Sequence, residues 1–331
     1  MEYADIASLH QVSKIALGTW AIGGWMWGGS DERDAIATIH RAQELGINII
    51  DTAPVYGFGR AEEIVGKALR QMPVSQRPYI ATKVGLNWRD GKVYRDSRPA
   101  RLRKEVDDSL RRLGIDHIDL YFVHWPDHQS DFAEAAQTLE SLRAQGKIRE
   151  IAVSNFQPAD MREFLKGAGI AANQLPYNLF ERDIEKATLP FCREHRIPIV
   201  AYGALCRGLL SGKMTAERKF TGDDLRRVDP KFQAPRFSHY LAAAEALEAL
   251  AARLGHSLLG LALRWLLDQP DLACALWGAR RPEQLENLPE ALGWHLDSEN
   301  FREIDEILQK HIPDPVGPEF MAPPEERPED L

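Results

Sequence analysis

Asn48-Ile49-Ile50-Asp51-Thr52-Ala53-Pro54-Val55-Tyr56-Gly57 is an apolar run that ends on an aspartate and enters a loop carrying a tyrosine. Pro54 and Gly57 mark the loop. One lacks a backbone N–H, and the other tolerates backbone angles closed to other residues. The run itself is short, β-branched and uninterrupted by polar residues, which predicts a strand buried on both faces. The same arrangement recurs. Tyr79-Ile80-Ala81-Thr82-Lys83 ends on a lysine, and Ile118-Asp119-Leu120-Tyr121-Phe122-Val123-His124 ends on a histidine. Successive strands thus end on side chains able to hold or move a proton.

Working outward, eight strand-like runs are expected: Ile15–Gly18, Ile47–Asp51, Tyr79–Lys83, Ile118–His124, Glu150–Ser154, Ala172–Leu175, Pro198–Tyr202 and Ala273–Trp277. Between them lie stretches with apolar residues at helical spacing, among them Asp31–Leu45, Ala61–Arg70, Ala100–Leu113, Phe132–Gln145 and Ala159–Lys166. Three of these run into Gly46, Gly114 or Gly146, residues suited to stopping a helix. Strand then helix, repeated eight times, predicts an α/β fold of the (β/α)8 TIM barrel type over one domain, residues 1–331. Such barrels take about 250 residues. The surplus falls in a short N-terminal lead-in, a long loop after strand seven (Lys213–Ser238) and an extended C-terminal tail, residues 311–331. The loop's length marks it as functional. The tail is either disordered or folded over the site, and its apolar Phe320-Met321-Ala322-Pro323-Pro324 segment argues for the second. The competing architecture, an open doubly wound sheet, requires a glycine-rich phosphate fingerprint after the first strand. Gly57-Phe58-Gly59-Arg60-Ala61-Glu62 has the first two glycines and then a glutamate, which repels phosphate.

In a parallel barrel the C-terminal strand ends converge on one face, and active sites form there. Asp51, Lys83 and His124 end consecutive strands, with Tyr56 in the loop after the second. Each alone has an ordinary structural reading as a turn residue, a solvated cation or a satisfied polar group. Together they suit carbonyl reduction, which needs a hydride at carbon and a proton at oxygen. A free phenol has a pKa of about 10, so Tyr56 can donate at neutral pH. A neighbouring Lys83 ammonium is expected to make the phenol more acidic, Asp51 to hold that ammonium, and His124 to orient the carbonyl.

The motifs then resemble those of the aldo-keto reductases. Asp-Thr-Ala-Pro-Val-Tyr-Gly at 51–57, Ala-Thr-Lys at 81–83, Leu-Tyr-Phe-Val-His-Trp-Pro at 120–126, Gly-Lys-Ile-Arg-Glu-Ile-Ala-Val-Ser-Asn-Phe at 146–156 and Gln-Leu-Pro-Tyr-Asn at 174–178 carry the resemblance over nearly the whole chain. The early Trp-Gly-Gly and the Asp-Pro-Val-Gly-Pro-Glu-Phe-Met-Ala-Pro-Pro tail look like the bacterial general-stress-type members. The resemblance implies reversible reduction of small hydrophilic or medium-chain aldehydes, or of ketones, with Asp51, Tyr56, Lys83 and His124 catalytic. It implies that Ser154, Asn155 and Gln174 hold the nicotinamide carboxamide and that Tyr202 stacks on the ring. Thr19, Trp20, Asp51, Gly203, Leu205, Lys213 and Gly278 complete the cofactor site, with Arg207 as a phosphate contact. Trp20, Tyr56, His124 and Trp125 would meet substrate. After strand eight, Arg280 and Arg281, with Gln284, stand where the family binds the adenosine 2′-phosphate, so NADP(H) is the expected cofactor. Gln284 replaces an arginine common there, and Asn287 a glutamate, which leaves NAD(H) use open. The rival class implied by the resemblance is a non-catalytic, nicotinamide-binding subunit of the potassium-channel β-subunit kind.

The bulk composition narrows the partners. A net charge of −8 argues against a nucleic-acid surface. Cys192, Cys206 and Cys274 match neither a zinc ribbon nor a disulfide framework, so a reducing, cytoplasmic setting is expected. Nothing in Cys206's surroundings suggests a nucleophile. Met1-Glu2-Tyr3-Ala4-Asp5 lacks a signal-peptide pattern, and no apolar run approaches a membrane span. His124 and His128 have metal-pair spacing for a helix, but Pro126 between them argues against a helix, so no metal is expected. Trp20, Trp25, Trp27 and Trp88 fall on loops near the site face, where they either line the pocket or pack the barrel top. The expected partners are small aldehydes, ketones or alcohols, and the expected assembly is a monomer or small homo-oligomer.

Overall fold

The computed structural model describes residues 1–328. Eight parallel strands close a barrel in chain order, the last pairing with the first. They are β1 (Ile15–Gly18), β2 (Ile49–Asp51), β3 (Tyr79–Val84), β4 (Ile118–Val123), β5 (Ile148–Ser154), β6 (Asn173–Pro176), β7 (Ile199–Tyr202) and β8 (Leu272–Gly278). Each coincides with a run expected from the sequence, its ends displaced by no more than a couple of residues.

The outer ring is made of α1 (Glu32–Glu44), α2 (Arg60–Arg70), α3 (Pro99–Leu113), α4 (Phe132–Ala144), α5 (Pro158–Phe164), α6 (Thr188–Glu194), α7 (Arg236–Arg253), α8 (Leu258–Leu267) and α9 (Ser298–His311). Local chemistry sets the helix ends. The Asp31 carboxylate accepts from the backbone N–H groups of Arg33 and Asp34 at the start of α1, and Asp131 accepts from Glu134 at the start of α4. Gly114 stops α3 in the left-handed conformation. Among the described residues, no single helix is long and apolar enough to cross a membrane.

Two cores result. The outer one lies between strands and helices. The inner one fills the barrel with Ala16, Ile49, Ala81, Phe122, Ala152 and Val200, among others. The N-terminal lead-in proves to be a hairpin, Tyr3–Ile6 paired with Leu9–Ser13. Its Ile6, Leu9 and Val12 are fully buried against the inner core and cork that end of the barrel.

Three connections shape the opposite, C-terminal face. A second hairpin, Leu86–Arg89 with Lys92–Arg95, follows β3. Its turn residues, Asp90 and Gly91, both have positive φ, as a two-residue hairpin turn requires. The long loop after β7 contains the turns Leu225–Arg227 and Pro230–Phe232, and α7 begins at Arg236, earlier than the expected loop end at Ser238. The tail leaves α9 at His311 and returns across the face through a turn at Glu319–Met321.

Candidate active site

The period of a strand explains the site. Residues two apart share a face, so the position beyond each inner-core residue also points into the barrel. Ile49 leads to Asp51, Ala81 to Lys83, Phe122 to His124, Ala152 to Ser154, Ala172 to Gln174 and Val200 to Tyr202. His124 continues the β4 pattern just past the strand, its N–H donating to Val84 O at 2.8 Å. At the same level, β1 and β8 end on Gly18 and Gly278, leaving room where six other strands present side chains. One apolar layer thus carries a polar layer as its lid.

Lys83 and Asp51 are buried. Lys83 Nζ donates to Asp51 Oδ2 at 2.6 Å, to Thr52 O at 2.9 Å and to Tyr56 Oη at 3.2 Å. The other Asp51 oxygen accepts from Gln174 Nε2 at 2.8 Å. Tyr56, half-buried, faces His124 edge-on with ring centroids 5.9 Å apart, and Trp20 stacks on it at the same distance. A close approach of backbones fixes the Tyr56 loop. A Cβ on Gly23 would sit 2.6 Å from the Tyr56 carbonyl carbon, and one on Gly57 would strike the Gly23 carbonyl oxygen. Gly57 also has φ +65°.

Burial, aided by the Asp51 carboxylate and the Tyr202 phenol, pushes the Tyr56 phenol well above its ordinary pKa. The net direction is thus upward, not the net lowering expected from a neighbouring Lys83. The ammonium is already matched by Asp51, so the pair adds little net positive charge and desolvation decides. Burial also lowers Lys83, opposed by Asp51. His124 is depressed well below 6.5, by burial first and the Lys83 charge second, so its imidazole is neutral at physiological pH.

A cavity of about 720 Å³ opens from this cluster. Thr19, Trp20, Asp51, Tyr56, His124, Trp125, Ser154, Asn155, Gln174, Tyr202, Gly203, Leu205, Arg207, Lys213, Gly278, Arg280, Arg281 and Gln284 all line it. Lys83 lies beneath, reaching it through Tyr56. Asn155, in the left-handed region at φ +63°, donates to His124 O at 3.0 Å and accepts from Tyr202 Oη at 2.9 Å. Trp25 and Trp27 also line the cavity, whereas Trp88 packs against Phe58 and Arg101. His128 is turned away, toward Glu325 and Asp160. Burial raises the Cys206 thiol far above its ordinary range.

Two arginines differ from expectation. Arg207 reaches the cavity wall, but its guanidinium is buried and ion-paired with Glu181 and Asp229. A cation satisfied by two carboxylates is a poor phosphate contact, so Arg207 is better understood as bracing the loop. Arg280 spends its Nη1 on Trp27 O at 2.7 Å and Gly29 O at 2.6 Å. The Gln284 side-chain oxygen accepts from the Arg280 and Arg281 N–H groups, and the segment beyond is a short 3-10 turn, Pro282–Leu285. Arg218 and Arg226, both from the long loop, also line the cavity. Sequence reading gave them no role; the only signal was the density of basic residues in that loop.

The profile of the Aldo/keto reductase family matches residues 14–309. The chain belongs to the aldo/keto reductase family. Aldo-keto reductase YhdN of Bacillus subtilis (strain 168) is 52% identical over 98% of both chains. The NADH-specific methylglyoxal reductase of Escherichia coli (strain K12) is 37% identical, covering 90% of this chain and 96% of that one. Among solved structures, the glycerol dehydrogenase AKR11B4 from Gluconobacter oxydans superposes with a TM-score of 0.86 at 52% identity, covering 94% of this chain and 96% of that chain. An aldo-keto reductase from Klebsiella pneumoniae in complex with NADPH gives 0.72 at 26% identity, covering 92% and 94%. In this aldo-keto reductase Asp51, Lys83 and His124 thus stand at or just past strand ends, and Tyr56 lies in the loop after β2.

Proposed function

We propose that this aldo-keto reductase reduces small aldehydes and ketones reversibly, with Tyr56 as the proton donor and NADP(H) as the preferred cofactor. The carrying observation is the chain from Asp51 through Lys83 Nζ to Tyr56 Oη, links of 2.6 and 3.2 Å, at the floor of a cavity of about 720 Å³.

The residues fit a nicotinamide dinucleotide. Lys213, Arg218, Arg280 and Arg281 line one cavity in a chain of net charge −8, where Asp51 is the sole carboxylate among the lining residues, whereas Arg226 beside them is paired with Asp224. That donor set suits an anion of several phosphates. Ser154, Asn155 and Gln174 would hold the carboxamide, and Tyr202 the ring face. A bound nicotinamide would supply the hydride needed at the carbonyl carbon. As the C=O π pair moves to oxygen, the Tyr56 hydroxyl gives that oxygen its proton, and the Lys83 ammonium stabilises the phenolate left behind. His124, neutral, donates a hydrogen bond that orients the carbonyl. Asp51 keeps the ammonium charged and in place. In the alcohol-oxidising direction the phenolate takes the proton back.

Arg281, exposed at the cavity and holding neither loop carbonyl, supports NADP(H). The NADH-specific relative leaves NAD(H) use open for this chain. Three free, buried cysteines fit a reducing, cytoplasmic setting. A panel of aldehydes assayed by NADPH absorbance tests the reading. Turnover with a Tyr56-dependent rate supports it. Tight NADPH binding with no turnover of any aldehyde would place the chain among non-catalytic binding subunits.

A further inference from the structure

The C-terminal tail forms part of the cavity wall, and one buried arginine outside the cavity holds it there. Phe320, Met321, Pro323 and Pro324 line the cavity from the tail, opposite Leu86 and Val93 of the second hairpin and Trp125 after β4. Arg95, on the second strand of that hairpin, is buried and is not among the lining residues. Its Nη1 donates to Pro126 O at 2.7 Å and to Glu325 Oε1 at 2.6 Å. Its Nε donates to Pro323 O at 2.9 Å, and its backbone N–H to Pro324 O at 3.1 Å. The guanidinium lies over the Trp125 ring at 5.3 Å. One side chain therefore ties three separate segments together: the hairpin, the loop just beyond His124, and the tail.

Neighbouring contacts lock the same joint. Glu325 also meets His128 Nδ1 at 2.8 Å, while the other ring nitrogen faces Asp160 at 3.1 Å. Arg327 Nη2 donates to Asp127 Oδ2 at 2.6 Å and to Ser130 Oγ at 2.7 Å. The metal-like spacing of His124 and His128 thus has a different outcome. One histidine faces the catalytic tyrosine, and the other anchors the tail.

We propose that Arg95 is a positioning residue that fixes the tail as the outer wall of the substrate chamber, and so sets the size of carbonyl compound the enzyme accepts. This rests on the carbonyl-reductase reading of the site. With the clamp in place, the chamber is bounded by Trp125, Leu86, Val93 and the two prolines, and a small aldehyde is packed on all sides. Without the side chain, Pro323 loses its anchoring bond and Glu325 its ion pair, and the tail keeps only the backbone bond from Arg95 N–H to Pro324 O. A small substrate then loses contacts, and a larger one gains room.

The test compares kcat/KM for propanal and for naphthaldehyde in the full-length enzyme and in Arg95→Met, Arg95→Lys and Glu325→Gln. Product alcohols are quantified by chromatography. The ratio of the two values within one preparation does not depend on how much protein is folded, so a general loss of stability leaves it unmoved. In Arg95→Met the naphthaldehyde-to-propanal ratio should rise roughly tenfold, the low end for losing a charge-assisted hydrogen bond. Arg95→Lys, which keeps the charge but not the fork, should restore part of the ratio. Glu325→Gln breaks the clamp from its solvent side and should raise the ratio about threefold, as for a partly exposed ion pair. If Arg95→Met does not fold, Glu325→Gln decides alone. An unchanged ratio in a variant that still reduces propanal overturns the proposal while leaving the proposed function intact. Failure of the unaltered enzyme to reduce either aldehyde overturns that function, and the proposal with it.

Discussion

Replacing Arg281 by alanine should weaken NADPH binding and leave NADH binding nearly unchanged, whereas Arg280→Ala should weaken both. The two arginines are adjacent, but their surroundings differ. Arg280 Nη1 holds the carbonyls of Trp27 and Gly29 at 2.7 and 2.6 Å, so it staples the tryptophan-bearing loop over the cavity. Removing it frees that loop whichever cofactor is present. Arg281 makes neither contact, lies exposed and lines the cavity, so its charge is available to a 2′-phosphate. A charge-assisted hydrogen bond contributes about 1.5–3 kcal/mol, or roughly 10- to 150-fold in affinity. Solvent screening at an exposed arginine favours the lower end, about tenfold. Titrating each variant with NADPH and with NADH, following intrinsic tryptophan fluorescence, gives four affinity changes. The reasoning requires a loss confined to NADPH for Arg281→Ala and a shared loss for Arg280→Ala. The reverse assignment, or equal losses for both cofactors in both variants, would refute it.

Three other outcomes follow from the same geometry. Lys83→Met should cripple turnover and also destabilise the fold by about 3–5 kcal/mol, because Asp51 is left as an unpaired buried charge; urea unfolding checks the second part, and unchanged stability would contradict the buried pair. Gly23→Ala should lower kcat while sparing NADPH affinity, since its methyl group would meet the Tyr56 carbonyl carbon at 2.6 Å and push the catalytic loop aside; unchanged kcat would show that the loop gives way freely. Burial and Asp51 hold the Tyr56 phenol above its ordinary value, and His124 is neutral because desolvation and the Lys83 charge depress it, so reduction should keep its proton donor across neutral and mildly alkaline pH, with no loss until well below 6.5, where His124 gains a charge. Oxidation needs the phenolate and should rise toward alkaline pH, so pH–rate profiles in both directions that peak together at acid pH would contradict this assignment.

The barrel and its polar layer were legible because both rest on local pattern. Buried parallel strands need unbroken apolar runs, and a period of two then fixes which later residue faces inward. Asp51, Lys83 and His124 were read at strand ends, whereas Ser154, Gln174 and Tyr202 came from the family resemblance, and the period of two explains where the structure puts them. The second hairpin was not expected, although Asp90-Gly91 between Leu86–Arg89 and Lys92–Arg95 carries its turn signal, because short strands beside a long helix are easily passed over. The partners of the arginines were not legible. Arg207 is claimed by Glu181 and Asp229, and Arg95 by Glu325 and two proline carbonyls, across separations that no local signal encodes. The same holds for the phenol. A lysine close to a tyrosine suggests an acidic phenol, until burial and the compensating Asp51 are known.

The most direct test of the central claim is single-turnover reduction of propanal by Tyr56→Phe with bound NADPH. The phenylalanine keeps the ring that stacks on Trp20 and removes only the hydroxyl that meets Lys83 at 3.2 Å. Cofactor affinity should be nearly unchanged, and the rate of NADPH oxidation should fall at least about 100-fold, the lower end for losing a general acid. A Tyr56→Phe enzyme that oxidises NADPH at close to the unaltered rate would contradict the account.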